Sequence, residues 1–175
     1  MLSENLLHIT TTSICNLNCT YCSEWVRKGW YLLDYFLLKD LDELNEQIPK
    51  DLRKWKDFFE WVVFSSWEPT LNHQLTEHIN HAKDLGYQKI QVVTNGIRIS
   101  DIDYLQKLRE AWLNSLVISV NSFSPSISKK VSWNWYDGAK TAKWILNAVH
   151  LNIPLQVNIV INKYTLILYG VELFK

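Results

Sequence analysis

Five short runs rich in β-branched and aromatic residues alternate with stretches of helical period, and that alternation restricts the fold more than any other feature of the sequence. The runs are Leu6 to Thr12, Trp61 to Phe64, Lys89 to Thr94, Leu116 to Val120 and Leu155 to Ile161. Between them, Phe36, Leu37, Leu41 and Leu44 recur with a helical period from Tyr35 to Gln47, which Pro49 should end. The charged stretch Lys50 to Asp57 then leads into the second strand. A second helix carries Leu75, Ile79, Ala82 and Leu85 on one face, with Asn72 as its cap and Gly86 as its stop. Further helices are predicted from Asp101 to Trp112 and from Ala139 to Leu151, while residues 23–34 read as irregular and Phe123 to Asp137 as a long loop. Strands alternating with helices imply parallel pairing through right-handed crossovers, hence an α/β sheet or a partial barrel of about five to six βα units. No linker or internal repeat divides residues 1–175, so one domain is expected.

Composition narrows the class. With 47% hydrophobic and 21% charged residues, the 175-residue chain is long and apolar enough to bury a core. Lysine plus arginine match aspartate plus glutamate at 18 each, so there is no electrostatic footprint for nucleic acid. Met1 to Asn5 lacks a signal-peptide pattern, and no apolar run approaches the ~20 residues that span a bilayer, which predicts a cytoplasmic protein without membrane contact. The nine tryptophans are scattered and read as packing residues.

All three cysteines, Cys15, Cys19 and Cys22, fall in one loop that leaves the end of the first strand. In barrel enzymes that end of the sheet carries the chemistry. Three thiolates so close must converge on one centre, and soft sulfur suits zinc or an iron–sulfur cluster rather than magnesium or calcium. Zinc wants a fourth ligand, and the nearest histidine, His8, lies in the preceding apolar run. A cubane held by three cysteines keeps one iron open for a small molecule. An odd cysteine count without a secretion signal disfavours disulfides.

The spacing, three residues and then two, with aromatic Tyr21 just before the third cysteine, resembles the cluster loop of the radical S-adenosylmethionine (radical SAM) enzymes. The resemblance implies a [4Fe–4S] cluster ligated by Cys15, Cys19 and Cys22. It also implies S-adenosylmethionine chelated to the open iron by its amino and carboxylate groups, and reductive cleavage to a 5′-deoxyadenosyl radical that abstracts hydrogen from a substrate. Tyr21 is then placed near the adenine. The family's Gly-Gly-Glu-Pro turn, whose backbone meets the cofactor's amino group, is matched in place by Glu68-Pro69 followed by Thr70-Leu71. Thr94-Asn95-Gly96 looks like the family's third-strand ending, Ser119 sits where many members put a hydroxyl near the cofactor, and Asn158 matches a position that is often polar. The implied partners are a small-molecule or peptide substrate and an electron donor such as flavodoxin or ferredoxin.

Two departures from the pattern matter. Ser66-Trp67 stand where two glycines are expected, and glycines there permit positive φ and close backbone approach. With tryptophan the turn is expected either to keep its backbone contact in an extended conformation or to fill the pocket. The family's core usually has six βα units, and only Lys163 to Lys175 follow Asn162, so the chain reads as a minimal or truncated core. Leu166, Ile167, Leu168, Val171, Leu173 and Phe174 then predict exposed apolar surface and self-association through the C-terminal segment. A non-catalytic iron–sulfur or SAM-binding scaffold and a zinc-binding domain are the alternative functions. His73, Glu77, His78 and His81 miss both metalloprotease helix patterns, because five residues rather than four separate His73 from His78, and are expected on a solvated helix face.

Overall fold

The computed structural model describes residues 5–22, 40–132 and 140–161. Five strands, β1 (Leu6–Thr10), β2 (Trp61–Ser65), β3 (Lys89–Thr94), β4 (Ser115–Val120) and β5 (Leu155–Ile159), form one sheet in the order β1-β2-β3-β4-β5. Every neighbouring pair is parallel. When strand order follows sequence order, crossovers of one hand set the helices on a single face of the sheet. The five strands therefore make the expected partial barrel rather than a doubly wound sheet.

The helices are α1 (Leu41–Trp55), α2 (Leu75–Asp84), α3 (Ile102–Glu110), α4 (Pro125–Ser132) and α5 (Thr141–His150). Ile9, Val62, Phe64, Ile90, Val92, Leu116 and Ile118 alternate along the strands and share the core with Ile48 and Leu52 of α1, Ile79 of α2, Leu105 and Leu108 of α3 and Trp144 of α5. The intervening residues lie on the other face, where His8, Val63, Gln91 and Ser115 stand in register. That face is rich in uncharged polar groups, with Gln91 Nε2 donating to Ser115 Oγ at 2.7 Å.

Three αβ connections close alike. Gly86, Trp112 and Asn152 follow their helices with φ of 86°, 88° and 52°. The next residue's N–H returns to the helix: Tyr87 N to Ala82 O at 3.1 Å, Leu113 N to Leu108 O at 2.9 Å and Ile153 N to Ala148 O at 3.0 Å. These are Schellman closures, which satisfy helix-end carbonyls and turn the chain toward the next strand. Gly86 was legible as a stop, whereas Trp112 adopts the same conformation against its own steric preference.

Four expectations need correction. Pro49 does not end its helix; α1 starts after Asp40, whose carboxylate accepts from Asp42 N at 3.3 Å, and runs through Pro49 to Trp55. A mid-helix proline costs about 3 kcal/mol, but breaking there would pull Leu52, which is fully buried, out of the core. It would also disturb the bond from Tyr87 OH to Leu52 O at 2.9 Å. Part of the segment read as a loop, Pro125 to Ser132, is helix α4, with proline at the first helical position where its missing N–H costs nothing.

The N-cap of α2 is Gln74 rather than Asn72, although Asn72 Oδ1 accepts from Gln74 N at 2.8 Å as the chain enters the helix. The Asn72 amide donates to Thr11 O at 2.7 Å and to Asn45 Oδ1 at 2.8 Å, tying β1, α1 and α2 together. His78 does not lie on a solvated face; it shares the buried side of α2 with Leu75, Ile79 and Ala82 and bonds to Asn45 Oδ1 at 2.9 Å. Burial holds its imidazole down at about 4, so it is neutral at physiological pH. His73 and Glu77 are exposed, as expected. The readings of residues 23–34, of 35–39 at the start of the first predicted helix and of 162–175 lie outside the described residues. Among the described residues, no helix is long and apolar enough to cross a membrane.

Candidate functional site

Parallel strands bring every strand's C-terminal end to one edge of the sheet, so residues far apart in sequence meet there. The cysteine loop follows β1, the Ser66 to Leu71 turn follows β2, Thr94-Asn95-Gly96 closes β3, and Asn121-Ser122 closes β4. The first two are joined directly: Glu68 N donates to Ile14 O at 3.1 Å, and Thr11 N to Ser65 O at 3.4 Å. Asn95 joins the third, its amide donating to Asn16 Oδ1 at 2.7 Å and lying 3.8 Å from Cys15 Sγ. Gly96, with φ of 84°, has room for no side chain, because a Cβ there would come within 2.5 Å of the Trp144 ring.

Glu68 is the hub of this edge. It is fully buried, and its Oε1 accepts from Thr70 N at 3.2 Å, Thr70 Oγ1 at 2.6 Å and Thr94 Oγ1 at 2.6 Å, while Oε2 accepts from Asn95 N at 2.7 Å. Burial raises its carboxyl above the ordinary range, and the donors from Thr70, Thr94 and Asn95 oppose that shift. The carboxylate therefore fixes the β2 turn to the end of β3. Pro69 opens a 3₁₀ turn through Leu71, and Arg98 Nη1 reinforces it by donating to Thr70 O at 2.5 Å.

Ser66 and Trp67 have φ of 72° and 48°, the left-handed conformation that two glycines would take. Neither residue is extended, which corrects that part of the sequence reading. The turn keeps its shape although each L-residue there costs about 1–2 kcal/mol. Ser66→Gly should accordingly raise the unfolding free energy by about 0.5–1 kcal/mol, the relieved strain exceeding the glycine's greater unfolded-state entropy. Urea denaturation reads this, and a lower midpoint for the variant would show that the serine side chain stabilises the turn.

The three thiols are free and half-buried. Burial pushes the Cys15 thiol up to about 11, opposed by the N–H of Leu17, which lies 3.3 Å from its sulfur, and further raised by the charges of Glu68 and Cys19. The Cys19 thiol is raised by burial, opposed by Ser132 and Asn121. A bound cation reverses this balance, since a coordinating thiol is deprotonated outright.

Tyr21 reaches across the mouth to donate its hydroxyl to Asn121 Oδ1. Ser119 and Asn158 face each other in register across β4 and β5, and Asn158, which is exposed, accepts from Gln156 Nε2 at 2.8 Å. Among the described residues, neither bonds to the cysteine loop. Sequence reasoning missed Asn121, Ser132, Thr70 and Asn16 as site residues. A strand-end position was signal enough for Asn121, whereas Ser132 is carried by a helix that had been read as a loop.

The comparisons agree with this geometry. A model of the radical SAM superfamily matches residues 9–165. The chain is 31% identical over 119 residues to a 7,8-dihydro-6-hydroxymethylpterin dimethyltransferase of Methanocaldococcus jannaschii, covering 68% of this chain and 22% of that protein. It is 30% identical over 159 residues to a Saccharolobus solfataricus protein named "Probable GTP 3',8-cyclase", covering 90% of this chain and 48% of that one. The chain thus spans half or less of the length of these relatives. Among solved structures, Streptococcus suis SuiB bound to S-adenosylmethionine superposes with a TM-score of 0.71 at 17% identity, covering 97% of this chain and 37% of SuiB. The anSMEcpe structure with bound AdoMet superposes with a TM-score of 0.61 at 19% identity, covering 87% and 42%. With a family match across nearly the whole parallel sheet and the cysteine loop at its C-terminal edge, the chain belongs to the radical SAM superfamily, which binds a [4Fe–4S] cluster and S-adenosylmethionine.

Proposed function

We propose that Cys15, Cys19 and Cys22 hold the cluster, that the Ser66 to Pro69 turn holds S-adenosylmethionine against its open iron, and that the chain is the radical-generating core of an enzyme. The observation that carries this reading is the bond from Glu68 N to Ile14 O, which docks the β2 turn onto the cysteine loop so that both face one mouth. The donor set fits: three free thiols lie on one short loop. Among the described residues, no three His, Cys, Asp or Glu side chains are grouped around a position for a single metal ion. A cubane makes no such demand, because each cysteine binds a different iron.

When bound, the cluster supplies the electron that breaks a carbon–sulfur bond of S-adenosylmethionine, yielding methionine and a 5′-deoxyadenosyl radical. The protein's share is to hold, orient and exclude water. Glu68 fixes the turn that would meet the cofactor's amino group, Thr94 and Asn95 support that turn from β3, and Tyr21 would lie beside the adenine. Ser119 and Asn158 present polar groups on the face of the sheet away from the helices. Gln91 and Ser115, on the same face but in the N-terminal half of their strands, satisfy each other. The relatives named for a pterin and for GTP make a heterocyclic small molecule the first class to test, with a peptide as the second. The reading includes an electron donor of flavodoxin or ferredoxin type and the cytoplasm as its compartment, where thiols stay reduced.

The test is chromatography for 5′-deoxyadenosine after anaerobic reconstitution and dithionite reduction, run against Cys19→Ala. Product above the control is expected, slowly and without substrate. A protein that assembles the cluster and binds the cofactor yet releases none is a scaffold, and a colourless protein with one equivalent of zinc is a zinc-binding domain.

A further inference from the structure

Cys19 is the most elaborately enclosed of the three thiols. Asn121 Nδ2 lies 3.5 Å from its sulfur and Ser132 Oγ lies 3.7 Å from it. The same amide nitrogen also donates to Ser132 Oγ, while the amide oxygen accepts from Tyr21 OH. Asn121 is 3% exposed and Ser132 fully buried, so water does not compete for these groups.

Ionised sulfur can only accept. With its lone pair taken by Asn121, the Ser132 hydroxyl has its own proton left to turn toward Cys19, and the second N–H of the Asn121 amide is aimed at the same atom. The Tyr21 hydroxyl fixes which end of the amide faces the sulfur. The arrangement is tied to the fold at two points. Ser128 Oγ donates to Ser122 O at 2.8 Å, tying α4 to the end of β4. Thr20 N donates to Val131 O at 2.8 Å, tying the residue after Cys19 to the residue before Ser132. Cys15 receives Leu17 N–H and a more distant Asn95, and among the described residues no donor is recorded on the Cys22 sulfur.

We propose that Asn121 and Ser132 form a donor clamp on the Cys19 sulfur that raises the reduction potential of the cluster, an inference that rests on the reading of Cys19 as a cluster ligand. One-electron reduction of the cubane adds a negative charge that spreads onto its cysteine sulfurs. Donors aimed at those sulfurs stabilise the reduced form more than the oxidised one, and such bonds are among the determinants of iron–sulfur potentials. Asn121 and Ser132 act through the ligand and are therefore positioning residues.

The experiment is a redox titration of reconstituted protein, followed by the paramagnetic resonance signal of the reduced cluster, with dithionite as the electron source. Asn121→Leu and Ser132→Ala should each shift the midpoint to more negative values, Asn121→Leu by about 59 mV if losing its donor changes the reduction equilibrium tenfold. Ser132→Thr, which keeps the hydroxyl, should restore the wild-type value. The sign separates this from mere loosening of the pocket, since admitted water solvates the more negative reduced cluster and moves the midpoint upward. A midpoint unchanged or raised in Ser132→Ala, with cluster content intact, overturns the clamp and leaves the proposed function standing. Wild-type protein that assembles no cluster overturns both. Should Asn121→Leu fail to fold, the two Ser132 variants decide alone.

Discussion

Cys15→Ala, Cys19→Ala and Cys22→Ala should each remove the cluster outright, taking bound iron from a full cubane's content to below about one iron per chain. The effect is large because a cubane needs one protein sulfur on each of three irons, and among the described residues no three His, Cys, Asp or Glu side chains are grouped to hold a metal in its place. A cubane with two protein sulfurs presents two open irons to solvent and oxygen, and it does not survive purification. The fold should survive, because none of the three thiols is fully buried, Cys15 and Cys19 only fringe the core, and each substitution leaves the apolar residues between sheet and helices in place. Iron analysis with far-ultraviolet circular dichroism reads both parts. Full iron retention in any single variant would show that its cysteine is not a ligand.

Glu68→Ala should be the most destabilising single change at the sheet edge. It leaves Thr70 N and Asn95 N without their buried acceptor and frees two threonine hydroxyls. Each orphaned buried donor costs about 1–3 kcal/mol. The two threonine hydroxyls can rotate toward other acceptors, so a total on the order of 4 kcal/mol is expected, a large part of the ~5–15 kcal/mol that holds a domain together. Glu68→Gln keeps one acceptor oxygen but sets an amide group against a backbone donor, and should fall between Ala and wild type. Urea unfolding should give the order wild type, Gln, Ala. An alanine variant within about 1 kcal/mol of wild type would show that the carboxylate network is compensated elsewhere.

The strands were legible because a parallel sheet covered by helices writes its buried positions as apolar, β-branched residues, and Val62-Val63-Phe64 or Leu116-Val117-Ile118 leave little choice. The cysteine loop was legible because its spacing is local. What stayed hidden depends on contacts between distant residues. Helix α1 passes through Pro49 because the burial of Leu52 and the bond from Tyr87 OH to Leu52 O together offset the proline's cost, a comparison that needs the packed structure. His78 falls on the buried side of α2 because Asn45, 33 residues earlier, offers it an acceptor. Ser66 and Trp67 hold a glycine-like turn because the bonds of Glu68 to Ile14 and Asn95 constrain the chain just after them, which no propensity for serine or tryptophan predicts. The Asn121–Ser132 contact with Cys19 joins residues more than 100 positions apart and rests on α4, whose serines and single buried valine carry little helical signal.

The central claim, that three thiols on one loop hold a cubane whose open iron takes S-adenosylmethionine, is tested most directly by the paramagnetic resonance spectrum of the reduced, anaerobically reconstituted protein with and without the cofactor. The account predicts a reduced-cluster signal that changes shape when S-adenosylmethionine is added, because amino and carboxylate groups replace whatever occupies the open iron. A spectrum unchanged at saturating cofactor would contradict it, as would a colourless protein carrying one equivalent of zinc.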